Sequence, residues 1–185
     1  MQTRSLLCGQ LPAVCIAVSD SDWAVAHSTT GWHVSLAGAA IGHASKRQPC
    51  VAGSSTEAEI VAASEAGREA VHLARLCSEL GLHSDAPVDL HVDNKSAIDV
   101  AYNPEHHGRM KHVARRHFFV RELVEDHVIR VPYVHTDRNL ADFFTKALPA
   151  DKVLKFREIV MNLEPYTQSS TPGGLALLSL TSECG

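Results

Sequence analysis

Four acidic residues occupy positions from which they could hold divalent metal ions. Two aspartates, Asp20 and Asp93, end predicted strands. Glu59 lies in the first turn of a long predicted helix, and Asp142 lies near the start of a late one. Strand ends and neighbouring helix starts converge in α/β proteins, so the four carboxylates are expected to meet. Gathered carboxylates repel one another and their pKa values rise, unless cations neutralise them.

Magnesium chemistry suits such a group of acids. Mg²⁺ prefers carboxylate oxygens, keeps several waters and takes further ligands from substrate phosphates. Two ions about 4 Å apart can activate a water molecule and stabilise the leaving oxygen in an in-line displacement at a phosphodiester. The four acids are therefore compatible with a site for two Mg²⁺ ions, for which Mn²⁺ can substitute.

Each acid also has an ordinary structural alternative. Glu59 can be the partner of Thr56 in a helix capping box, and Asp93 can be a helix N-cap. The sequence "DSDW" offers Asp22 beside Asp20, and strand alternation places both on the same side. We prefer Asp20 because it directly ends the apolar run. Spacing alone leaves the capping and metal-binding interpretations open.

Hydrophobic periodicity predicts the elements that would position these acids. Strands are expected over residues 13–20, 31–36, 40–45, 88–92 and 128–135. Helices are expected over residues 56–80, 96–102, 113–126, 139–148 and 151–163. This order predicts an α/β fold, in which an antiparallel hairpin group is joined to parallel strands through helical crossovers.

The composition is typical of one soluble globular domain. The chain has 185 residues, of which 45% are hydrophobic, and a formal net charge of −4. No apolar run approaches the ~20 residues of a membrane span. The five cysteines are odd in number and lack a CxxC pair, which argues against a disulfide framework and a cysteine zinc site. We expect a poorly ordered segment over 1–12, a folded domain over 13–163, a disordered tail over 164–185, and a cytoplasmic or nuclear location.

Residues 105–121 form a basic segment in a chain whose net charge is negative. Four of its cations are candidates for contact with nucleic-acid phosphates: Arg109, Lys111, Arg115 and Arg116. A solvated helix face is the alternative for the same charges. The histidines of "HHGRMKH" (106–112) also suggest zinc, but adjacent histidines point in different directions and no further ligand completes a tetrahedral set.

Five sequence blocks follow one another in an order that resembles a known family. They are "SDSDWA", "SSTEAEIVAASEAGREAVHLARLCSELG", "LHVDNKSAI", "NPEHHGRMKHVARRHFFVRE" and "LADFFTKALP". Together they resemble the ribonuclease H region of copia-type retrotransposon Pol polyproteins. The similarity covers roughly residues 13–163.

The resemblance implies a fold, an activity and partners. The fold would be ribonuclease H-like, with a mixed five-stranded sheet whose antiparallel portion has three strands. The activity would be two-metal hydrolysis of the RNA strand of an RNA–DNA hybrid. The reverse transcriptase of the parent polyprotein would precede Met1, the fragment would be monomeric, and an active element would place it in a virus-like particle. An inactive remnant that at most binds nucleic acid is the alternative.

The resemblance also assigns roles to individual residues. Asp20, Glu59, Asp93 and Asp142 match the family's metal-binding acids in chain order. His135, seven residues before Asp142, matches weakly a histidine that shuttles protons in cellular ribonucleases H. Asn94 and Ser96 would contact the sugar-phosphate chain of the hybrid. Trp23 and Trp32 are expected to pack in the core rather than to stack on bases.

Overall fold

The structure, a computed structural model, describes residues 15–24, 26–36, 38–82, 86–102, 114–161 and 163, with the side chains of 114–117 left out. Eleven helices and strands lie within these residues. The strands are β1 (Cys15–Asp22), β2 (Thr29–Leu36), β3 (Ala39–Arg47), β4 (Val88–His91) and β5 (Ile129–Arg130). The helices are α1 (Ser55–Glu79), α2 (Lys95–Tyr102), α3 (Ala114–Glu125), α4 (Asp142–Thr145) and α5 (Ala150–Val160), with a 3₁₀ turn at Thr136–Arg138.

The five strands form one mixed sheet in the order β3-β2-β1-β4-β5. β1 and β3 both pair with β2 in antiparallel fashion, and β4 pairs in parallel with β1 and β5. Parallel neighbours need a crossover, which α1 supplies between β3 and β4. The predicted α/β fold with a three-stranded antiparallel portion is confirmed.

A single apolar core lies between α1 and the sheet, where α1 packs against β1, β2 and β4. Small residues spaced by four make this close approach possible, since residues four apart share one helix face. The row consists of Ala58, Ala62, Ala66 and Ala70, all fully buried. The largest apolar side chains that are fully buried beside them are Leu90, Ile129, Val34, Val61 and Val92.

Both ends of α1 carry defined caps. The Ser54 hydroxyl accepts a hydrogen bond from the Glu57 backbone N–H (3.2 Å), and the Glu57 carboxylate accepts one from the Gly53 N–H (2.7 Å). Gly81 follows the helix with φ of +70°, a conformation that glycine adopts without steric cost. The predicted helix over 56–80 therefore matches α1 within one residue at each end.

Two predicted elements differ from the structure. The expected strand over 128–135 is reduced to β5 and an isolated bridge between Val92 and Tyr133, because Pro132 has no N–H to donate to a ladder. The expected helix over 139–148 is reduced to a single turn, α4. Asn139, at the start of that range, directs its side chain to backbone groups instead of continuing a helix.

The two tryptophans differ in environment. Trp32 is 7% exposed and packs in the core as predicted. Trp23 is 47% exposed, so the prediction that it packs in the core is wrong. Its indole N–H donates to the Ala52 carbonyl at 3.2 Å, which holds the ring at the surface just beyond the end of β1. None of the described helices is long and apolar enough to cross a membrane.

Candidate active site

Three of the four predicted acids meet at one edge of the sheet. Asp20, Glu59 and Asp93 each offer a carboxylate oxygen, and these oxygens all lie within 4.8 Å of one another. Asp20 is 1% exposed and Glu59 is 6% exposed, whereas Asp93 is half-buried. The arrangement opens to solvent on the Asp93 side.

The register between β1 and β4 explains why two of these acids are level with each other. Val18 of β1 pairs with His91 of β4, so Asp20 and Asp93 each lie two residues beyond the same rung of a parallel ladder. Side chains two residues apart share a face, and parallel strands end at the same sheet edge. Two carboxylates separated by about half of the domain sequence are thereby placed side by side.

Glu59 reaches the same point from α1. The buried Ser21 N–H donates to Glu59 Oε1 at 3.2 Å, which ties the helix to the residue directly after Asp20. Glu59 Oε2 is buried and has no hydrogen-bond partner within the described ranges. An orphaned carboxylate oxygen costs free energy unless a cation or donor reaches it.

The capping alternatives for Glu59 and Asp93 do not apply, because neighbouring residues cap the helices. Glu57, and not Glu59, completes the capping box at the start of α1. Asn94 Oδ1 accepts from the Ala97 N–H at 3.1 Å and caps α2. Asp93 instead accepts a hydrogen bond from the Thr136 hydroxyl through Oδ2 at 3.0 Å.

The electrostatics of the group disfavour full ionisation without a cation. Burial, followed by the charges of Asp20 and Asp93, raises the pKa of Glu59 to about 9. Burial also raises the pKa of Asp20, although Thr145 and Lys146 partly oppose this effect. A divalent ion would supply the missing positive charge and a partner for Glu59 Oε2. The oxygen-only donor set of Asp20, Glu59 and Asp93 fits Mg²⁺ or Mn²⁺.

Asp142, the fourth predicted ligand, lies beside this group but is engaged by lysines. It is 2% exposed and begins α4. Its Oδ1 lies 2.9 Å from Lys146 Nζ and its Oδ2 lies 3.3 Å from Lys152 Nζ. Lys146 Nζ also lies 3.2 Å from Asp20 Oδ2. One ammonium group therefore separates Asp142 from Asp20.

The choice between the two acids of "DSDW" is decided by exposure. Asp20 is buried in the three-carboxylate group, whereas Asp22 is exposed at the last position of β1. Asp20 also accepts hydrogen bonds from the Thr145 hydroxyl and from Lys146. The geometry favours Asp20 as the candidate ligand.

The remaining predicted residues lie around the group. The side chain of His135 is 66% exposed, and its Nδ1 accepts from the Asp137 N–H at 3.3 Å. His135 precedes Thr136, which contacts Asp93. Ser96 is exposed in the first turn of α2. Arg115 and Arg116 lie in α3 with side chains that the structure leaves out, and the predictions for Arg109 and Lys111 lie outside the described residues.

Sequence analysis missed two polar residues that hold the site together. Asn139 is fully buried, donates to the Ser19 carbonyl (3.2 Å) and accepts from the Ala141 N–H (3.1 Å), which anchors the start of α4 to β1. Lys146 joins Asp142 to Asp20. Its signal in the sequence is the spacing of four from Asp142, which allows an ion pair on a helix.

Some known proteins are similar to this chain in sequence, and others are similar in fold. No family model matches the chain. The chain is 42% identical over 133 residues (72% of this chain, 10% of the relative) to the retrovirus-related Pol polyprotein from transposon TNT 1-94 of Nicotiana tabacum. It is 38% identical over 136 residues (71% and 9%) to those from transposons RE1 and RE2 of Arabidopsis thaliana. It thus spans about a tenth of the length of the curated relatives it matches.

Solved structures with the same fold are more distant in sequence. The N-terminal RNase H domain of Rv2228c from Mycobacterium tuberculosis has a TM-score of 0.52 at 14% identity, covering 72% of this chain and 91% of that chain. LC11-RNase H1, solved in complex with an RNA/DNA hybrid, has a TM-score of 0.51 at 12% identity, covering 71% and 93%. The chain is therefore a homologue of one segment of retrovirus-related Pol polyproteins from plant transposons, and it has the ribonuclease H-like fold.

Proposed function

We propose that this chain is a ribonuclease H that hydrolyses the RNA strand of RNA–DNA hybrids with Mg²⁺ as cofactor. The observation that carries the proposal is the convergence of Asp20, Glu59 and Asp93, with an unpartnered buried oxygen on Glu59, at the carboxyl end of the central strands. The fold shared with RNase H domains supports the same conclusion. One of these similar proteins, LC11-RNase H1, was solved with an RNA/DNA hybrid.

The residues of this chain would mainly bind and orient the reacting groups. Asp20, Glu59 and Asp93 would hold Mg²⁺, which when bound supplies activation of water and stabilisation of the leaving oxygen. The Ser21 N–H fixes Glu59 Oε1, and the Thr136 hydroxyl fixes Asp93 Oδ2. Rigid ligands of this kind place the scissile phosphate without reorganisation during the reaction. Asp142 would join a second ion on the other side of Asp20.

Contacts to the substrate are proposed for a histidine, two polar residues and four basic residues. His135, which is exposed and next to Thr136, would move a proton to or from the leaving group. Ser96, exposed in the first turn of α2, is suited to the sugar-phosphate chain, and Asn94 would contribute beside it. Arg109, Lys111, Arg115 and Arg116 would bind phosphates without reading sequence.

The wider setting is proposed by analogy with the polyprotein relatives. We propose that the reverse transcriptase portion of the parent polyprotein is the natural partner of this domain and that the isolated fragment is monomeric. Its place would be the cytoplasm or nucleus, or a virus-like particle if the element is active. These partners and locations are proposals for the whole polyprotein, of which the chain matches about a tenth.

Cleavage of a labelled hybrid tests the activity. The full chain is incubated with an end-labelled RNA–DNA hybrid and Mg²⁺, beside Asp93→Asn and beside Asp22→Asn as a matched control for an exposed acid in the same region. We expect cleavage of the RNA strand by the parent and by Asp22→Asn, and loss of at least about a hundredfold in rate for Asp93→Asn. Single-stranded RNA and duplex DNA should remain intact.

The outcomes separate the enzyme from a binding module. Absence of cleavage by the parent over a range of Mg²⁺ and Mn²⁺ concentrations would overturn the proposed activity. Hybrid binding without cleavage would identify the alternative, a non-catalytic nucleic-acid-binding remnant. Equal cleavage by Asp93→Asn and the parent would remove the three-carboxylate group from the reaction.

A further inference from the structure

Lys146 places a positive charge inside the carboxylate group. Its Nζ lies 2.9 Å from Asp142 Oδ1, 3.2 Å from Asp20 Oδ2 and 3.3 Å from Asp20 Oδ1. The side chains of Asp20 and Asp142 are 1% and 3% exposed, whereas that of Lys146 is 35% exposed. A single ammonium group thus bridges two buried carboxylates and still reaches solvent.

Local structure fixes this lysine in place. α4 is a single turn, and the Lys146 backbone N–H closes it by donating to the Asp142 carbonyl at 3.0 Å. Residues four apart on a helix face the same side, so the Lys146 side chain returns to the carboxylate of Asp142. The neighbouring Thr145 hydroxyl also donates to Asp20. The end of α4 is therefore attached to β1 at the candidate metal ligand itself.

The positive charges divide the site into two unequal sides. Asp142 has two ammonium partners, Lys146 and Lys152, and Asp20 shares the first of them. No ion pair to Glu59 or Asp93 is found within the described residues. The side formed by Asp20, Glu59 and Asp93 is open to a cation, while the side between Asp20 and Asp142 is already filled by one.

We propose that Lys146 is an internal cation that occupies the Asp20–Asp142 side of the group in the metal-free protein and leaves when a divalent ion binds there. The inference rests on the proposed metal-dependent function and extends it to the order of binding. An ammonium and a metal ion compete for the same oxygens, since both require close carboxylate contact. The first ion binds the Glu59–Asp93 side, and the second binds more weakly because it displaces Lys146.

Chemical labelling follows the displacement in the unmodified protein. The full chain is treated briefly with an amine-reactive acylating reagent in EDTA and in increasing Mn²⁺, and modification at Lys146 is measured by peptide mass spectrometry. We expect labelling of Lys146 to increase at least about threefold with Mn²⁺, since an ammonium displaced from two buried carboxylates becomes more accessible to the reagent. Lys46, paired with Glu65 on the surface, serves as the internal reference.

Metal binding to variants provides the second measurement. Lys146→Met removes the charge at similar length, and Lys152→Met is the matched control, because Lys152 contacts Asp142 but forms no ion pair with Asp20 within the described residues. By calorimetry, we expect the weaker Mn²⁺ site of Lys146→Met to bind about tenfold more tightly than that of the parent. Lys152→Met should change it less. Lys146→Arg, which keeps the charge, should restore weak binding.

The results distinguish failure of this inference from failure of the proposed function. Mn²⁺ binding with unchanged labelling of Lys146, or with the same isotherm for Lys146→Met and the parent, would overturn the displacement alone. Absence of Mn²⁺ binding in the parent and in every variant would overturn both the metal site and the displacement. If Lys146→Met does not fold, the labelling of Lys146 in the parent still decides the question.

Discussion

Gly31 lies directly opposite Asp20 in the pairing of β1 with β2, and α4 packs onto the space that its missing side chain leaves. A Cβ at this position would lie 2.5 Å from Thr145 Cγ2, 2.9 Å from Phe144 Cβ and 3.0 Å from the Ala141 carbonyl oxygen. Two of these atoms belong to the turn that carries Asp142. The attachment of α4 to β1 therefore depends on a glycine in the middle strand of the antiparallel portion.

Substitution of this glycine should loosen α4. We expect Gly31→Ala to lower the free energy of unfolding by about 2 kcal/mol, because backbone and Cβ atoms have to move to admit the methyl group. Gly67→Ala is the control with the opposite sign. A Cβ at Gly67 would meet only ordinary contacts at 3.7 Å or more. Because alanine loses less conformational entropy than glycine when a helix forms, this variant should be more stable by about 0.5–1 kcal/mol. Urea unfolding of both variants measures the difference, and equal effects would contradict the close packing of α4.

Replacement of the buried carboxyl group of Glu59 should separate stability from catalysis. Glu59→Gln keeps an oxygen that can accept from the Ser21 N–H but removes a buried carboxylate next to Asp20 and Asp93. In EDTA we expect the variant to be more stable than the parent by about 1–3 kcal/mol. Hybrid cleavage should be lost, and the gain in melting temperature on addition of Mg²⁺ should shrink.

Glu57→Gln is the matched control for this substitution. Glu57 accepts from the Gly53 N–H at the start of α1 and has no place in the three-carboxylate group. The control should lose a fraction of a kcal/mol and keep the response to Mg²⁺. Lower stability of Glu59→Gln than of the parent in EDTA would contradict the repulsion among the three acids.

A buried histidine makes stability depend on pH. Burial, together with the charge of His43 on the paired strand, lowers the pKa of His33 to about 4. The folded protein therefore favours neutral His33, and the unfolded chain takes up a proton near its ordinary pKa of about 6.5. This contribution is fully present above pH 6.5 and is lost as pH falls from 6.5 towards 4.

Urea unfolding at pH 7 and pH 4.5 measures the effect. The parent should lose about 2 kcal/mol more over this interval than His33→Gln, which has no titrating group at the position. The comparison removes the contribution of carboxylates that both proteins share. Equal losses in the two proteins would show that His33 is not held in its neutral form.

Among the polar residues other than the carboxylates, Asn139 should lower the free energy of unfolding most when it is replaced by alanine. Asn139→Ala removes the bonds to the Ser19 carbonyl and the Ala141 N–H, both in a fully buried setting. We expect a loss of about 2–3 kcal/mol in the free energy of unfolding. Asn94→Ala, which removes a part-buried helix cap, should lose about 1 kcal/mol. A smaller effect at Asn139 than at Asn94 would contradict its anchoring role.

The sequence predicts well what depends on local periodicity. The ends of α1 and the strand hairpin follow from patterns spanning a few residues, although β1 continues two residues beyond its predicted end at Asp20. The mixed character of the sheet follows because parallel strands need a crossover and the first three strands do not, whereas the sequence does not predict the strand order.

The remainder depends on contacts between distant segments. Asn139 bonds to Ser19 across 120 positions, and Lys146 reaches Asp20 across 126. No local pattern assigns such partners. The single turn of α4 has the same origin, because bonds from Asn139 to distant and local backbone groups replace the helix that propensity favours. Trp23 lies at the surface for a similar reason, since its indole is held by a carbonyl on another loop. The short β5 has a local cause, since Pro132 has no N–H to donate to a ladder.

Near two of the candidate metal ligands, Glu59 and Asp93, a different residue caps the helix. Glu57 caps α1 near Glu59, and Asn94 caps α2 beside Asp93. Substitution of the Glu57 cap can therefore adjust thermal tolerance while the acids keep their chemistry. The same division means that correct folding does not indicate activity, because a chain that has lost these acids would still fold with its caps in place.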